Sequence, residues 1–93
     1  MRTIERSSAF KKDYKRESKG PHKAILSSEL LPVFEALVND QPLDVRYRDH
    51  DLIGQWSGYR ECHVKPDLLL IYSSAKVGIL RLARLGSHSE LFG

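Results

Sequence analysis

Ninety-three residues with a 41% hydrophobic share can build one core and no second, and that share is too high for a disordered chain. No apolar run approaches the ~20 residues of a membrane span, Met1-Arg2-Thr3-Ile4-Glu5-Arg6 lacks the apolar stretch of a secretory signal, and a lone cysteine excludes an internal disulfide. A single-domain cytoplasmic protein over residues 1–93 is expected, and its formal charge of +3 suits an anionic partner, nucleic acid or acidic protein.

Arg2 to Arg6 alternates and reads as a strand. Ser7 and Ser8 can cap the helix that follows, in which Phe10 and Tyr14 share a face while Lys11, Lys15 and Lys19 line another. Gly20-Pro21 ends it. Lys11, Lys12, Lys15, Arg16, Lys19 and Lys23 crowd this segment, a pattern that fits either an anionic partner or a plain solvated face. A second helix is predicted from Lys23 to Val38, with Ile25, Leu26, Leu30, Val33, Phe34, Leu37 and Val38 at core-facing spacing. Pro32 interrupts that stripe, so a kink or break is expected near Leu31.

Asn39 to Asp51 reads as a polar loop that ends beside His50. Leu52 to Trp56 is predicted to be a strand, turned by Ser57-Gly58 into the next one. From Tyr59 to Val64 polar and apolar residues alternate, and Leu68 to Tyr72 is an unbroken apolar run of strand length. Lys65-Pro66-Asp67 between them is turn chemistry, which folds the two into an antiparallel pair. Side chains alternate along a strand, so Tyr59, Glu61 and His63 share one face while Cys62 and Val64 look toward a core. A carboxylate and an imidazole side by side, with Asp67 just beyond, make a place for proton transfer. Ser73 to Lys76 turns the chain into a last strand over Val77 to Leu85, which Gly86 breaks. Ser87 and Glu90 have the spacing of a capping box, so a helical turn starts at Ser87. The order β-α-α-β-β-β-β predicts an α+β fold with two helices on one face of a small, mainly antiparallel sheet.

Taken one at a time, the candidate residues have structural explanations. His50 between two aspartates fits a salt-bridged loop, His63 a satisfied sheet histidine, His88 a capped turn and Phe92 a core plug. Trp56 and Tyr59 read as packing residues, and Cys62 as a small buried hydrophobe. Three histidines with Asp67 could in principle hold zinc. The chain has no H-E-x-x-H pair and no cysteine ligand cluster, so neither metal nor cofactor is expected.

Several blocks read together carry more. Tyr47-Arg48-Asp49-His50, Leu52-x-Gly54-x-Trp56-x-Gly58-Tyr59-Arg60, His63-Val64-x-Pro66-Asp67, Leu70-Ile71-Tyr72 and Gly86-Ser87-His88-Ser89-Glu90-Leu91-Phe92 resemble the YafQ branch of the RelE toxin superfamily. The match covers the second half of the chain in register, and the first half in pattern. The resemblance implies a RelE-like microbial ribonuclease fold and a bacterial toxin of a type II toxin–antitoxin pair. Such a toxin cleaves mRNA in the ribosomal A site. A cognate antitoxin blocks it, and the complex binds operator DNA to repress its own operon. Matched position by position, the family's catalytic set falls on His50, His63, Asp67 and His88, with Phe92 near the substrate base. Glu61 stands where some relatives have aspartate.

Metal-independent RNA cleavage uses the substrate 2′-hydroxyl as nucleophile. One group takes its proton and another protonates the departing 5′-oxygen, tasks that suit imidazoles near neutral pH. On this reading His88 is the general acid, and His50, His63 or Asp67 the base. Arg60 and Arg84 would clamp phosphate, and Lys11, Lys12, Lys15 and Arg16 would add substrate contacts. The competing reading is a non-catalytic RNA- or protein-binding module that uses the basic first helix. Convergence separates the two, because histidines scattered over ~15 Å or more could not share acid–base catalysis.

Overall fold

The computed structural model describes residues 1–21, 23–24 and 26–92. Strand β1 (Thr3–Arg6) leads into helix α1 (Ser8–Glu17), and helix α2 (Leu26–Val38) follows. The short strand β2 (His50–Asp51) precedes β3 (Arg60–Lys65), β4 (Leu68–Ser73) and β5 (Ile79–Gly86), and helix α3 (His88–Phe92) follows the last strand. The sheet order is β1-β5-β4-β3-β2. Strands β2 to β5 form an antiparallel meander, and β1 joins β5 in parallel with Thr3 opposite Ile79. The expected mainly antiparallel α+β arrangement is therefore present, with one parallel pair at its edge.

Local chemistry accounts for the helices. The Ser7 hydroxyl accepts the Phe10 N–H at 2.9 Å and caps α1. Helix α2 runs unbroken through Pro32, so of the expected kink or break the break does not occur. Pro32 lies on the exposed side, while Leu26, Leu30, Val33 and Leu37 bury the opposite face. Burial of that stripe outweighs the local cost of one proline. The helix begins at Leu26 rather than Lys23, and Ile25 and His22 lie outside the described residues.

The predicted strand over Leu52 to Trp56 is replaced by a 3₁₀ turn at Gly54–Trp56, and the true strand is His50–Asp51. Gly54 and Gly58 both take positive φ, which coils this stretch instead of extending it. Thus Ser57-Gly58 is not a two-residue hairpin turn but the end of a longer excursion. Tyr59 N–H donates to the Trp56 carbonyl within it, and Leu52 N–H donates to the Tyr59 carbonyl. The last strand starts at Ile79, because Gly78 at φ 77° still belongs to the turn.

The sheet separates two apolar clusters. Phe10, Leu30, Val33, Cys62, Leu70 and Leu82 belong to the larger, between the sheet and helices α1 and α2. On the other face, Leu69, Ile71, Ala83 and Leu91 form a smaller cluster flanked by Leu52, Trp56 and Tyr59. The alternation read along β3 holds, with Cys62 and Val64 on the helix side and Tyr59 on the opposite one. Among the described residues no helix is long and apolar enough to cross a membrane.

Candidate active site

On the face opposite the two long helices, β2 and β3 place His50 directly across from Glu61. His63 lies two residues farther along β3, on the same face as Glu61. One carboxylate oxygen of Glu61 is 3.3 Å from His63 Nε2 and 3.6 Å from His50 Nε2. Glu61 is almost fully buried, at 4% exposure, so two imidazoles converge on a carboxylate with little access to water. His88, at the start of α3, brings a third ring 5.8 Å from that of His63, and Phe92 stands 6.2 Å beyond His88. The His50 and His63 rings are 6.2 Å apart. Each ring in the row is about one ring diameter from the next, so the three histidines converge.

The tautomer of His50 follows from its partner. Nδ1 lies 2.7 Å from the Arg48 carbonyl, which can only accept, so Nδ1 carries the hydrogen. Nε2 is then the atom free to exchange a proton, and it is the one that faces Glu61. Arg48 supplies that carbonyl from a left-handed conformation (φ 50°) at the end of a 3₁₀ turn over Val45–Tyr47. The Asp44 side chain starts the turn by accepting the Arg46 N–H at 2.9 Å.

The capping box expected at α3 is present in both directions. Ser87 N–H donates to the Glu90 carboxylate at 2.9 Å, and Glu90 N–H donates to the Ser87 hydroxyl at 3.2 Å. The Ser87 N–H, with Arg16 nearby, holds the Glu90 carboxyl below its usual range. His88, the second residue of the box, is thereby pinned at the mouth of the cleft.

A cleft of about 420 Å³ opens beside His63 and His88, and Arg46, Arg48 and Lys65 line it together with Glu29. Three cations face one carboxylate there, a net positive lining suited to a phosphodiester. Lys65 is 3.1 Å from Glu29, and the Arg46 guanidinium lies 4.8 Å from the centre of the Tyr47 ring. In the sequence Arg46 and Arg48 were only part of the polar loop from Asn39 to Asp51, and nothing placed them here. Their nearness to the Tyr47-Arg48-Asp49-His50 block was the available signal.

Other expected members lie elsewhere. Asp67 sits exposed in the turn after β3, where its neighbour Pro66 lines the cleft. Arg60 points to Asp49 at 3.1 and 3.2 Å and to Asp51 at 2.5 Å. The Asp49 bonds, with the Tyr72 phenol beside them, hold its guanidinium above its usual range against the opposing effect of burial. Arg84 donates to Asp13 at 2.7 and 3.2 Å, and Arg16 donates to the same carboxylate at 2.9 Å. Neither Arg60 nor Arg84 is among the residues lining the cleft. Lys11, Lys12 and Lys15 are exposed on α1. Burial pushes the Cys62 thiol well above its usual range, as expected of a core residue.

Among metal-ligating groups of the described residues, His50, Glu61 and His63 offer ligand atoms that all lie within 4.8 Å of one another. Two imidazole nitrogens and a carboxylate oxygen are a donor set that suits zinc or copper.

The profile of the family described as "Bacterial toxin of type II toxin-antitoxin system, YafQ" matches residues 2–93. The mRNA interferase toxin YafQ of Escherichia coli K12 is 42% identical, over all of this chain and 98% of its own length. The E. coli DinJ–YafQ complex contains a chain that is 41% identical and superposes with a TM-score of 0.85 over the whole of both chains. A metal-bound toxin from Helicobacter pylori is 46% identical, with a TM-score of 0.81 over 99% of this chain and 100% of its own. With helices packed on a five-stranded mixed sheet and this agreement along its whole length, the chain has the RelE-like fold and belongs to the YafQ family of bacterial type II toxin–antitoxin toxins.

Proposed function

We propose that residues 1–93 form one toxin domain that acts in the cytoplasm as an mRNA endoribonuclease on the translating ribosome. The observation that carries the proposal is the row His50, His63, His88 and Phe92, with ring-to-ring steps of 6.2, 5.8 and 6.2 Å around the buried Glu61. The curated relative's description as an mRNA interferase supports the substrate. A non-catalytic binding module has no need of this convergence.

In the proposed reaction the substrate 2′-oxygen attacks the adjacent phosphorus and the bond to the 5′-oxygen breaks. The products are a 2′,3′-cyclic phosphate and a 5′-hydroxyl. His88, exposed at the cleft mouth, protonates the leaving oxygen. His50 takes the 2′-hydroxyl proton through Nε2, or His63 does, or Asp67 if the bound RNA reaches the turn. Glu61 orients both imidazoles. Arg46, Arg48 and Lys65 balance the charge that builds on the phosphorane, and Phe92 stacks on a base. No step requires a metal ion. The antitoxin partner, supported by the DinJ–YafQ complex, covers this cleft, and the complex represses its operon by binding operator DNA.

The test is cleavage by wild type and His88→Ala, on free RNA and in a translating extract, with product ends mapped. The expected result is 5′-hydroxyl ends from wild type and a far slower, folded His88→Ala. An equally fast variant, or a wild type that cuts neither substrate, would sink the proposal in favour of a binding module.

A second reading concerns the same groups. The His50–Glu61–His63 donor set and the metal-bound H. pylori relative favour binding of a divalent cation here. A cation in that position occupies the nitrogens that proton transfer needs, which makes it an inhibitor rather than a cofactor.

A further inference from the structure

The side chain of Arg60 grips the residues on both sides of His50. Nε and Nη2 donate to the two oxygens of Asp49, and Nη1 donates to Asp51. Asp49 also accepts the hydroxyl of Tyr72, which is 2% exposed and rooted in β4, so the grip is anchored in the larger core. The backbone gives His50 little support of its own. Strand β2 has two residues, paired only as His50 with Glu61 and Asp51 with Arg60. A pairing that short is marginal without side-chain help.

The surroundings of Arg60 also oppose the role first expected of it. One guanidinium stands among two carboxylates, for a net charge of −1, and such a cluster does not attract a phosphate. Its N–H fork is already matched to Asp49 in the two-point geometry that a phosphate would otherwise take. We propose that Arg60 is a positioning residue that holds His50 Nε2 against Glu61 through Asp49 and Asp51, and is not a phosphate ligand. This rests on the reading of His50 as part of the cleaving site.

The experiment compares wild type, His50→Ala, Arg60→Gln, Arg60→Lys and the Arg60→Gln/His50→Ala double variant on mRNA-programmed ribosomes at several salt concentrations. Thermal melts check folding. Arg60→Gln should lower kcat by roughly 10- to 100-fold, the scale of a misplaced catalytic group, and leave KM within about twofold. Its effect should vanish in the His50→Ala background, because the residue it positions is then gone. Arg60→Lys, a point charge without a fork, should restore only part of the rate. A raised KM with a flatter salt slope that persists in the His50→Ala background would overturn the proposal and make Arg60 a phosphate ligand.

If His50→Ala cleaves as fast as wild type, the reading of His50 fails. The position of its ring is then judged without activity. Imidazole nitrogen resonances of His50 should shift in Arg60→Gln while those of His88 stay in place, and an unmoved His50 overturns the proposal. Should Arg60→Gln not fold, Asp51→Asn removes one arm of the grip from a carboxylate that is 79% exposed. It should produce the same kcat loss in milder form, and an unchanged kcat counts against the grip.

Discussion

Arg16 Nε lies 3.0 Å from Glu90 Oε2 and so ties helix α1 to the short helix that carries His88 and Phe92. The same guanidinium donates to the Leu85 carbonyl at 2.8 Å and to Asp13 at 2.9 Å. Arg16 was expected to face RNA from the basic helix, yet its bonds run inward. Glu90 therefore has two tasks, capping α3 and docking it.

Removing both tasks should cost more than removing one. Glu90→Ala should lose about 1 kcal/mol of stability for the cap and slow cleavage ~10-fold or more as His88 loses its place. Glu90→Gln keeps an oxygen for the Ser87 N–H and should fall between the two. Single-turnover cleavage and urea melts read this directly. If Glu90→Ala cleaves at the wild-type rate, α3 does not need the tie.

Asp13 predicts the acid limit of the fold. Burial pushes its carboxyl up, but Arg84, the Leu85 N–H and Arg16 together pull it below its usual value. A carboxyl whose pKa is lower in the folded state stabilises the protein fully above its unfolded pKa. That contribution fades as pH falls through the folded value. The melting temperature of wild type should thus drop steeply as pH falls below about 4, and that of Asp13→Asn should drop less. At neutral pH the substitution takes the carboxylate from Arg84 and leaves Arg16 to Glu17 and Glu90, and should cost about 3 kcal/mol. Parallel pH-dependent melts of the two proteins decide it.

Cys62 should be inert. Its side chain is fully buried and its thiol is held protonated by burial. Iodoacetamide at pH 8 should leave the native protein unmodified over hours and label it within minutes in denaturant. Mass spectrometry gives the answer, and rapid native labelling would mean that the larger core opens.

Cation chemistry at the histidines has two separable outcomes. Thorough chelation should leave cleavage of a ribosome-free substrate, if one is cut, unchanged, because no step needs a metal. Added copper or zinc should inhibit, and Glu61→Gln should weaken that inhibition. Activity lost to a chelator and restored by a metal would reverse the proposed chemistry.

Much of this was legible in the sequence because its signals were local. The Ser87–Glu90 spacing announced a capping box, and alternation along β3 placed Glu61 and His63 on one face and Cys62 on the other. What escaped depended on distant partners. The Leu52–Trp56 segment has strand composition, but positive φ at Gly54 and Gly58 coils it, and no apolar count reveals that. Arg60 and Arg84 looked free in the sequence. Their carboxylates arrive from residues 11 and 71 positions away, so no window around either arginine contains the answer. The break expected at Pro32 fails for the same reason, since the sheet that α2 packs against lies far along the chain.

The parallel pairing of β1 with β5 also bears on when the toxin can become dangerous to the cell that makes it. Thr3 is synthesised long before Ile79 and must wait for it before it has a neighbour. Arg16 likewise waits for Leu85 and Glu90. A sheet closed by contacts this distant in sequence cannot finish folding until its last strand has been made, and such topologies close slowly. The cleft gains its third histidine only after that last strand, so on the proposed mechanism each new molecule passes through an interval in which it exists but is unarmed.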